Sequence, residues 1–227
     1  MSDLQETEEM KNFAIKDCAL IALATGKRAQ NLRELRNFVA EIELDSIYYH
    51  FWGGRLRPRF DDPEFHNDFA VWARHGLHDK VLAERLSLID PTLYTDLDDL
   101  RTELLEVIEA RLDELEYPPL AKYDDQFEFI RSQIVIFDTH QEVSVPEEFV
   151  PILPRMSVGS IFYHFIDARS RNDSHLDDFQ NWMRDLDPQY VELCDTIHEI
   201  DPYFCSLVEL RAKLVRVFES FFGKVAA

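Results

Sequence analysis

Apolar residues recur at helical spacing along most of this 227-residue chain. Residues 97–115 and 207–221 each carry an apolar side chain every three or four positions, which indicates one buried helix face. Helices are also predicted over 32–43 and 79–89, where Leu, Val and Ile stay in phase. The pattern therefore predicts a mainly helical protein.

Polar residues indicate where several of these helices begin. Asp96 and Ser206 precede the two long helices, where a side-chain oxygen can accept from the exposed N–H groups of the first turn. Ser46 is predicted to cap a short helix that carries an aromatic–histidine run, and Ser160 is predicted to cap a similar helix. A proline shortly before each long helix interrupts the preceding segment.

Two segments, 13–24 and 127–138, have a less decisive pattern. The second contains the run FEFIRSQIVIF, which suits a strand as well as a helix. Phe127, Ile130 and Phe137 stay in phase with a helix. Both segments are therefore predicted to be helical, and the whole chain is predicted to be an all-α bundle.

The first half of the sequence is similar to the second half. A shift of 114 positions aligns residues 13–57 with 127–171 without a gap, and further matches follow in the same order. We therefore predict a tandem duplication of a multi-helix unit of about 100 residues, with two units packed about a pseudo-two-fold axis. The predicted units are 1–118 and 119–227, because two prolines at 118 and 119 exclude a continuous helix there.

The net negative charge of the chain disfavours some classes of binding partner. The chain has 44 acidic and 24 basic residues and a formal net charge of -20, which disfavours binding to nucleic acid or to an anionic membrane surface. No apolar run reaches the roughly 18 residues of a membrane span, and the acidic start of the chain does not resemble a signal peptide. A cytoplasmic location is expected. The oligomeric state is left open.

A histidine and two arginines recur at matched positions in the two halves. Such a group suits an anion or sugar-phosphate pocket in each half, because guanidinium groups bind carboxylate or phosphate through two hydrogen bonds and imidazole can add a third. The alternative is structural, with a buried histidine bonded to a neighbouring carbonyl and arginines paired with nearby carboxylates. The candidate ligand-binding residues are Tyr49, His50, Arg55 and Arg57, and at the matched positions Tyr163, His164, Arg169 and Arg171.

Two matched tryptophans complete the candidate site. Trp72 follows Asp68 and Phe69, and Trp182 follows the same two residue types in the second half. Phe and Trp three positions apart share a helix face, so packing in the core is the plain interpretation. A platform on which a sugar ring or a base stacks is the functional alternative.

Signatures of enzymes are otherwise absent from the sequence. It contains no phosphate-binding glycine loop, no HExxH and no GxSxG. The three cysteines form no CxxC pair and the histidines do not cluster around them, so no metal site is expected. We therefore predict no catalytic residues and no cofactor.

The matched blocks SI(Y/F)YHF and DFxxW, the segment VLAERL at 81–86 and the LxxLR helix resemble a prokaryotic domain family of unknown function. The resemblance covers nearly the whole chain, taken as two copies. In the second copy, the segment at 191–197 departs from the LAxxL pattern. The resemblance implies a partner related to sugar or glycosyl metabolism and supplies no catalytic residues.

Three functions remain open at this point. The leading interpretation is a non-enzymatic helical module, with a binding or regulatory role, for a protein partner or a small anionic ligand. The second is an enzyme or ligand sensor that uses one His/Arg pocket in each half. The third is a structural scaffold in which the matched motifs serve packing alone.

Overall fold

The computed structural model describes residues 12–56 and 65–225, with side chains as far as 223. Two long β-strands alternate with two groups of helices. The strands are β1 (Phe13–Ala29) and β2 (Phe127–Val143). The helices between them are α1 (Leu32–Glu41), α2 (Leu44–Trp52), α3 (Asp68–His75), α4 (Lys80–Ser87) and α5 (Leu97–Glu114). After β2 come α6 (Phe149–Ile152), α7 (Val158–Ile161), a π-helical stretch (Phe162–Asp167), α8 (Ala168–Arg171), α9 (Asp178–Leu186), α10 (Val191–His198) and α11 (Leu207–Val225).

The prediction of an all-α bundle is wrong. Segments 13–24 and 127–138 lie in β1 and β2, which pair as a two-stranded antiparallel sheet. In β2 the alternating residues Phe127 and Phe129 are buried, whereas Phe137 is 49 % exposed. Every second residue at the start of β2 therefore faces the core, as in a strand. The helical spacing of Phe127, Ile130 and Phe137 is coincidental. The fold is mixed α/β.

The helices that the sequence predicted most clearly are confirmed. α1, α4 and α5 begin and end within two residues of the predicted bounds. The Asp96 carboxylate accepts from the N–H groups of Asp98 and Asp99 at 2.7 and 2.9 Å, as expected of an N-cap. Leu100 and Leu104 of α5 are buried, so the apolar stripe does face the core.

The caps predicted at Ser46 and Ser160 are wrong. α2 begins at Leu44, which places Ser46 inside the helix and fully buried. α7 begins at Val158, and Ser157 caps it by accepting from the N–H of Ser160 at 2.8 Å. Ser46 instead contacts the sheet: its hydroxyl donates a hydrogen bond to a backbone carbonyl of β2.

The chain divides into two compact units, and neither is a continuous stretch. The described residues of unit 1 lie within Met1–Cys18, Ile136–Asp201 and Leu207–Ala227. Unit 2 comprises Ala19–Val135 and Pro202–Ser206. The start of β1 therefore belongs with α6 to α11, and the start of β2 belongs with α1 to α5. The predicted division at 118/119 stays a prediction.

Each unit has an aromatic and aliphatic core. In unit 1, Phe149, Phe179 and Phe218 are fully buried, and Phe13 of β1 stacks on Phe179 with ring centroids 5.3 Å apart. In unit 2, Phe127 of β2 stacks on Phe69 at 5.1 Å. Each strand start thus contributes a phenylalanine to the core of the helices beside it.

Each strand contains one residue in the left-handed region of backbone conformation. Gly26 of β1 has φ 77° and His140 of β2 has φ 58°. The preceding threonines also behave alike, since Thr25 donates to the carbonyl of Phe129 at 2.7 Å and Thr139 donates to that of Ile15 at 2.5 Å. Glycine adopts this conformation without steric cost, whereas a residue with a Cβ atom does not.

Replacing His140 with glycine is expected to stabilise the protein by about 0.5–1 kcal/mol, because it relieves the left-handed strain of a residue with a Cβ atom. The matched change Gly26→Ala is expected to destabilise by about 1 kcal/mol, and for backbone reasons alone, since a Cβ there meets no atom within 4 Å. Urea unfolding of the two variants measures both effects. Changes of the same sign would contradict the explanation.

Candidate functional site

His164 is buried and both of its ring nitrogens are engaged. Its side chain is 3 % exposed. The backbone N–H of Lys16 in β1 donates to Nε2 at 2.9 Å, and Nδ1 lies 2.8 Å from Oδ2 of Asp178. Because Nε2 accepts, the ring proton lies on Nδ1 and is donated to the carboxylate. The imidazole therefore links a strand to the first turn of α9.

His50 makes the same contacts in unit 2. Its Nε2 accepts from the N–H of Ile130 at 3.1 Å, and its Nδ1 lies 2.9 Å from Oδ2 of Asp68. Ser46, one turn earlier in α2, donates its hydroxyl to the carbonyl of Ile130 at 2.8 Å. His50 and Ser46 thus bind both backbone polar groups of one residue of β2, Ile130. Sequence reasoning took Ser46 for a helix cap and missed this contact, although its spacing of four from His50 places both on one helix face.

The predicted arginines bind groups of the protein itself. Arg55 donates to the carbonyls of Pro202 and Cys205 at 2.8 and 2.5 Å. Arg169 lies 3.7 Å from Asp177, and its guanidinium covers the ring of Phe165. Arg57 lies outside the described residues.

Arg171 has the densest set of contacts. It pairs with Asp167 at 2.7 Å and with Asp178 at 3.0 Å, and it donates to the carbonyl of Tyr163 at 3.1 Å. Its guanidinium also lies 4.0 Å from the centroid of the Tyr163 ring. An incoming anion would have to compete with two carboxylates for this group.

The two tryptophans differ in their surroundings. Trp72 is 7 % exposed, and its indole N–H donates to the carbonyl of Asp125 at 2.7 Å. Trp182 is half-buried, with its ring edge-on to Phe13 and Phe149. Trp182 also lines an open cavity of about 300 Å³ in unit 1, hereafter the Trp182 cavity.

The start of β1 and one face of α9 form the walls of the Trp182 cavity. On α9 the lining positions are 178, 181, 182 and 185, which share a helix face. Three predicted site residues meet here, and they are Tyr163, His164 and Trp182. The remaining lining residues are Asn12, Phe13, Ala14, Lys16, Asn172, Asp178, Asn181 and Asp185. Of the predicted residues in the first half, Tyr49 is buried against His50.

A family model described as "Family of unknown function (DUF5752)" matches residues 10–219. The chain belongs to the DUF5752 family. A solved structure, that of OrfY from Thermoproteus tenax, is similar with a TM-score of 0.81 and 25 % sequence identity, over 94 % of this chain and 96 % of that one. No curated protein matches the chain.

The pKa values of two adjacent carboxyl groups of this DUF5752 protein are shifted in opposite directions. Burial raises the pKa of Asp177 to about 7, against the opposing effects of the Gln180 N–H and of Arg169. Burial also acts to raise the pKa of Asp178, but hydrogen bonds from His164 and Asn172 outweigh it and hold that pKa below the usual value. Asp178 is therefore ionised at the cavity wall.

The part of the DUF5752 chain that the structure describes holds no cluster of metal-ligating side chains, and its cysteines are buried. Within residues 12–56 and 65–225, no three His, Cys, Asp or Glu side chains converge as a metal site needs. The three cysteines are buried, and burial, followed by the charges of Asp167 and Asp17, raises the pKa of Cys18 to about 12. Among the described helices, none is long and apolar enough to cross a bilayer.

Proposed function

We propose that this DUF5752 protein is a non-enzymatic binding module that holds a small ligand in the Trp182 cavity of unit 1. The observation that carries the proposal is the convergence of Trp182, Tyr163 and polar side chains of α9 on one open cavity of about 300 Å³. Small-ligand sites combine an apolar or aromatic wall with a few placed polar groups, and this cavity has both.

The contacts of His50 and His164 support the non-enzymatic part of the proposal. A general acid or base must exchange its proton with a substrate. Here one ring nitrogen of each histidine accepts from a strand N–H and the other faces an aspartate. The histidines of the two predicted His/Arg pockets thus have a structural use, which disfavours the enzyme alternative.

We also infer that the two halves arose by tandem duplication of one unit. The support is the repetition of contacts at positions 114 apart, as with Lys16 and Ile130, which donate to His164 and His50. In each case the strand that begins one half packs on the helices of the other half. The matched blocks that recur in the sequence then encode this strand attachment, and the ligand site is a specialisation of unit 1.

A role accessory to sugar or glycosyl metabolism is the finer form of this proposal. Its support is the family resemblance of the matched blocks, together with the aromatic and polar lining of the Trp182 cavity. A tryptophan beside amide and carboxylate groups is a common way to bind a sugar ring.

A protein partner is the second candidate, and a specific groove favours it. A cavity of about 510 Å³ between α10 and α11 is lined by Leu193, Ile200, Val217 and Phe221 and by charged residues such as Glu199 and Arg216. A groove that presents both apolar and charged side chains suits an amphipathic segment of another protein.

A thermal-shift screen tests the ligand-binding proposal. The panel contains sugars, sugar phosphates, nucleotides and small amines. A compound present at about 100 times its dissociation constant adds roughly 2.7 kcal/mol of stability, so a hit gives a clear rise in melting temperature. We expect at least one hit, and we expect Asn181→Ala to abolish it.

Val71→Ala is the matched control, because Val71 occupies the corresponding position on α3 of unit 2. This variant should keep the response to the hit. If no compound in the panel changes the melting temperature, or if both variants lose the response equally, the cavity is not a ligand site. The structural scaffold would then be the better description.

A further inference from the structure

The charges around the Trp182 cavity indicate which class of ligand it holds, an inference that rests on the proposed function. We infer that the ligand is an uncharged ring compound rich in hydroxyl groups, such as a monosaccharide or a cyclic polyol. Three observations carry this inference: the carboxylates of the wall, the cation already seated on Tyr163, and the mixture of donors and acceptors on α9.

The wall is unsuited to an anion. Asp178 and Asp185 both line the cavity, and Asp178 is ionised because of its hydrogen bonds. Lys16 also lines it, and the ammonium group of Lys16 is paired with Asp138 at 2.9 Å. An anion therefore meets the carboxylate of Asp185, the carboxylate of Asp178 that is shared with Arg171, and one cation that is already paired, in a chain whose net charge is -20. The small anion expected from the arginine pairs is disfavoured here.

A cationic ligand is disfavoured for a different reason. The Tyr163 ring would be a natural platform for a cation, but the guanidinium of Arg171 already lies 4.0 Å from its centroid. The same guanidinium pairs with Asp178 at 3.0 Å. A cationic ligand would therefore have to share the Asp178 carboxylate with Arg171.

The groups on α9 suit hydroxyls. Asn181 can donate through its amide nitrogen while its carbonyl oxygen accepts from the hydroxyl of Ser174 at 2.7 Å. Asp185, one turn further on and exposed, accepts only. Trp182 stands between them on the same helix face. A hydroxyl group both donates and accepts, and the C–H face of a sugar ring packs on an indole.

Titration calorimetry with probes of one size and different charge tests the inference. The uncharged probes are D-glucose and myo-inositol, glucosamine is the cation, and glucose 6-phosphate is the anion. We expect at least one uncharged probe to bind ten times more tightly than either charged probe. Asp185→Ala should weaken that binding about tenfold, and Asp185→Lys should shift the preference towards glucose 6-phosphate.

His75→Ala is the matched control for position 185, since His75 has the corresponding place on α3. It should leave the affinity unchanged. Tighter binding of glucosamine or glucose 6-phosphate than of both uncharged probes would overturn the inference and leave the proposed function standing. The same holds if only charged compounds of the thermal-shift panel bind at the cavity. Failure of every compound in both experiments would overturn the proposed function as well.

Discussion

His164→Ala is expected to destabilise the protein by about 4 kcal/mol. The change leaves the part-buried N–H of Lys16 without its acceptor and removes one hydrogen bond from Asp178. An unsatisfied buried donor costs about 1–3 kcal/mol, and the cavity left beside Phe13, whose ring centroid lies 4.8 Å from that of the imidazole, adds to this. The midpoint of urea unfolding measures the effect.

Two further variants separate a structural role from a ligand contact. His164→Gln should recover part of the loss, because its amide oxygen can still accept from the Lys16 N–H. His50→Ala should be about as damaging as His164→Ala, since it makes the matched contacts to Ile130 and Asp68. A loss below about 1 kcal/mol in both alanine variants would show that the histidines do not hold the strands.

Asp177→Asn is expected to stabilise the protein, and the gain in the free energy of unfolding over the unchanged protein should grow as the pH rises. Burial raises the folded pKa of Asp177 to about 7 from the usual 3.8, so the folded state keeps a proton that the unfolded chain loses. Asp177 therefore costs stability that grows from about pH 4 to pH 7 and is constant above. Asparagine resembles the protonated acid, so the gain should be near zero at pH 3 and roughly 4 kcal/mol at pH 8.

The structure offers two reasons to expect that the variant folds. Asp177 caps α9 by accepting from the N–H of Gln180 at 2.9 Å, and an asparagine can do the same. Asn67 has the corresponding place in unit 2, where it caps α3 by accepting from Ala70 at 2.8 Å. Oδ2 of Asp177 is buried with no hydrogen-bond partner in the described part of the chain, so the variant loses only its ion pair with Arg169 at 3.7 Å.

The neighbouring change Asp178→Asn should act with the opposite sign. The folded pKa of Asp178 is lowered, so its charge stabilises the fold above the usual pKa, and this contribution is lost as the pH falls through the folded value. Asp178→Asn should therefore destabilise at pH 7 and matter little at pH 2. Urea unfolding from pH 2 to pH 8 compares the two variants. If Asp177→Asn raises the free energy of unfolding by the same amount at pH 3 and at pH 8, the pKa explanation is contradicted.

Many residues of the candidate site could be named from the sequence, but the role of each residue could not. The matched positions of His50 and His164 indicated that both histidines have the same task, and they do make the same contacts. Their partners are backbone N–H groups 80 and 148 residues away, which carry no side-chain signal. The difference between Trp72 and Trp182 was likewise invisible, since it depends on a hydrogen bond to the carbonyl of Asp125 in one case.

The sequence by itself determined the helices whose signals are local. α5 has a cap at Asp96 and an apolar stripe, and both act within a few residues, so the pattern was sufficient. Only the tertiary structure decided the state of β1 and β2. An isolated segment with the pattern of residues 127–138 suits a helix or a strand, and the choice depends on a pairing partner more than 100 residues away. Strand pairing is a non-local interaction, and for that reason a window of sequence cannot reveal it.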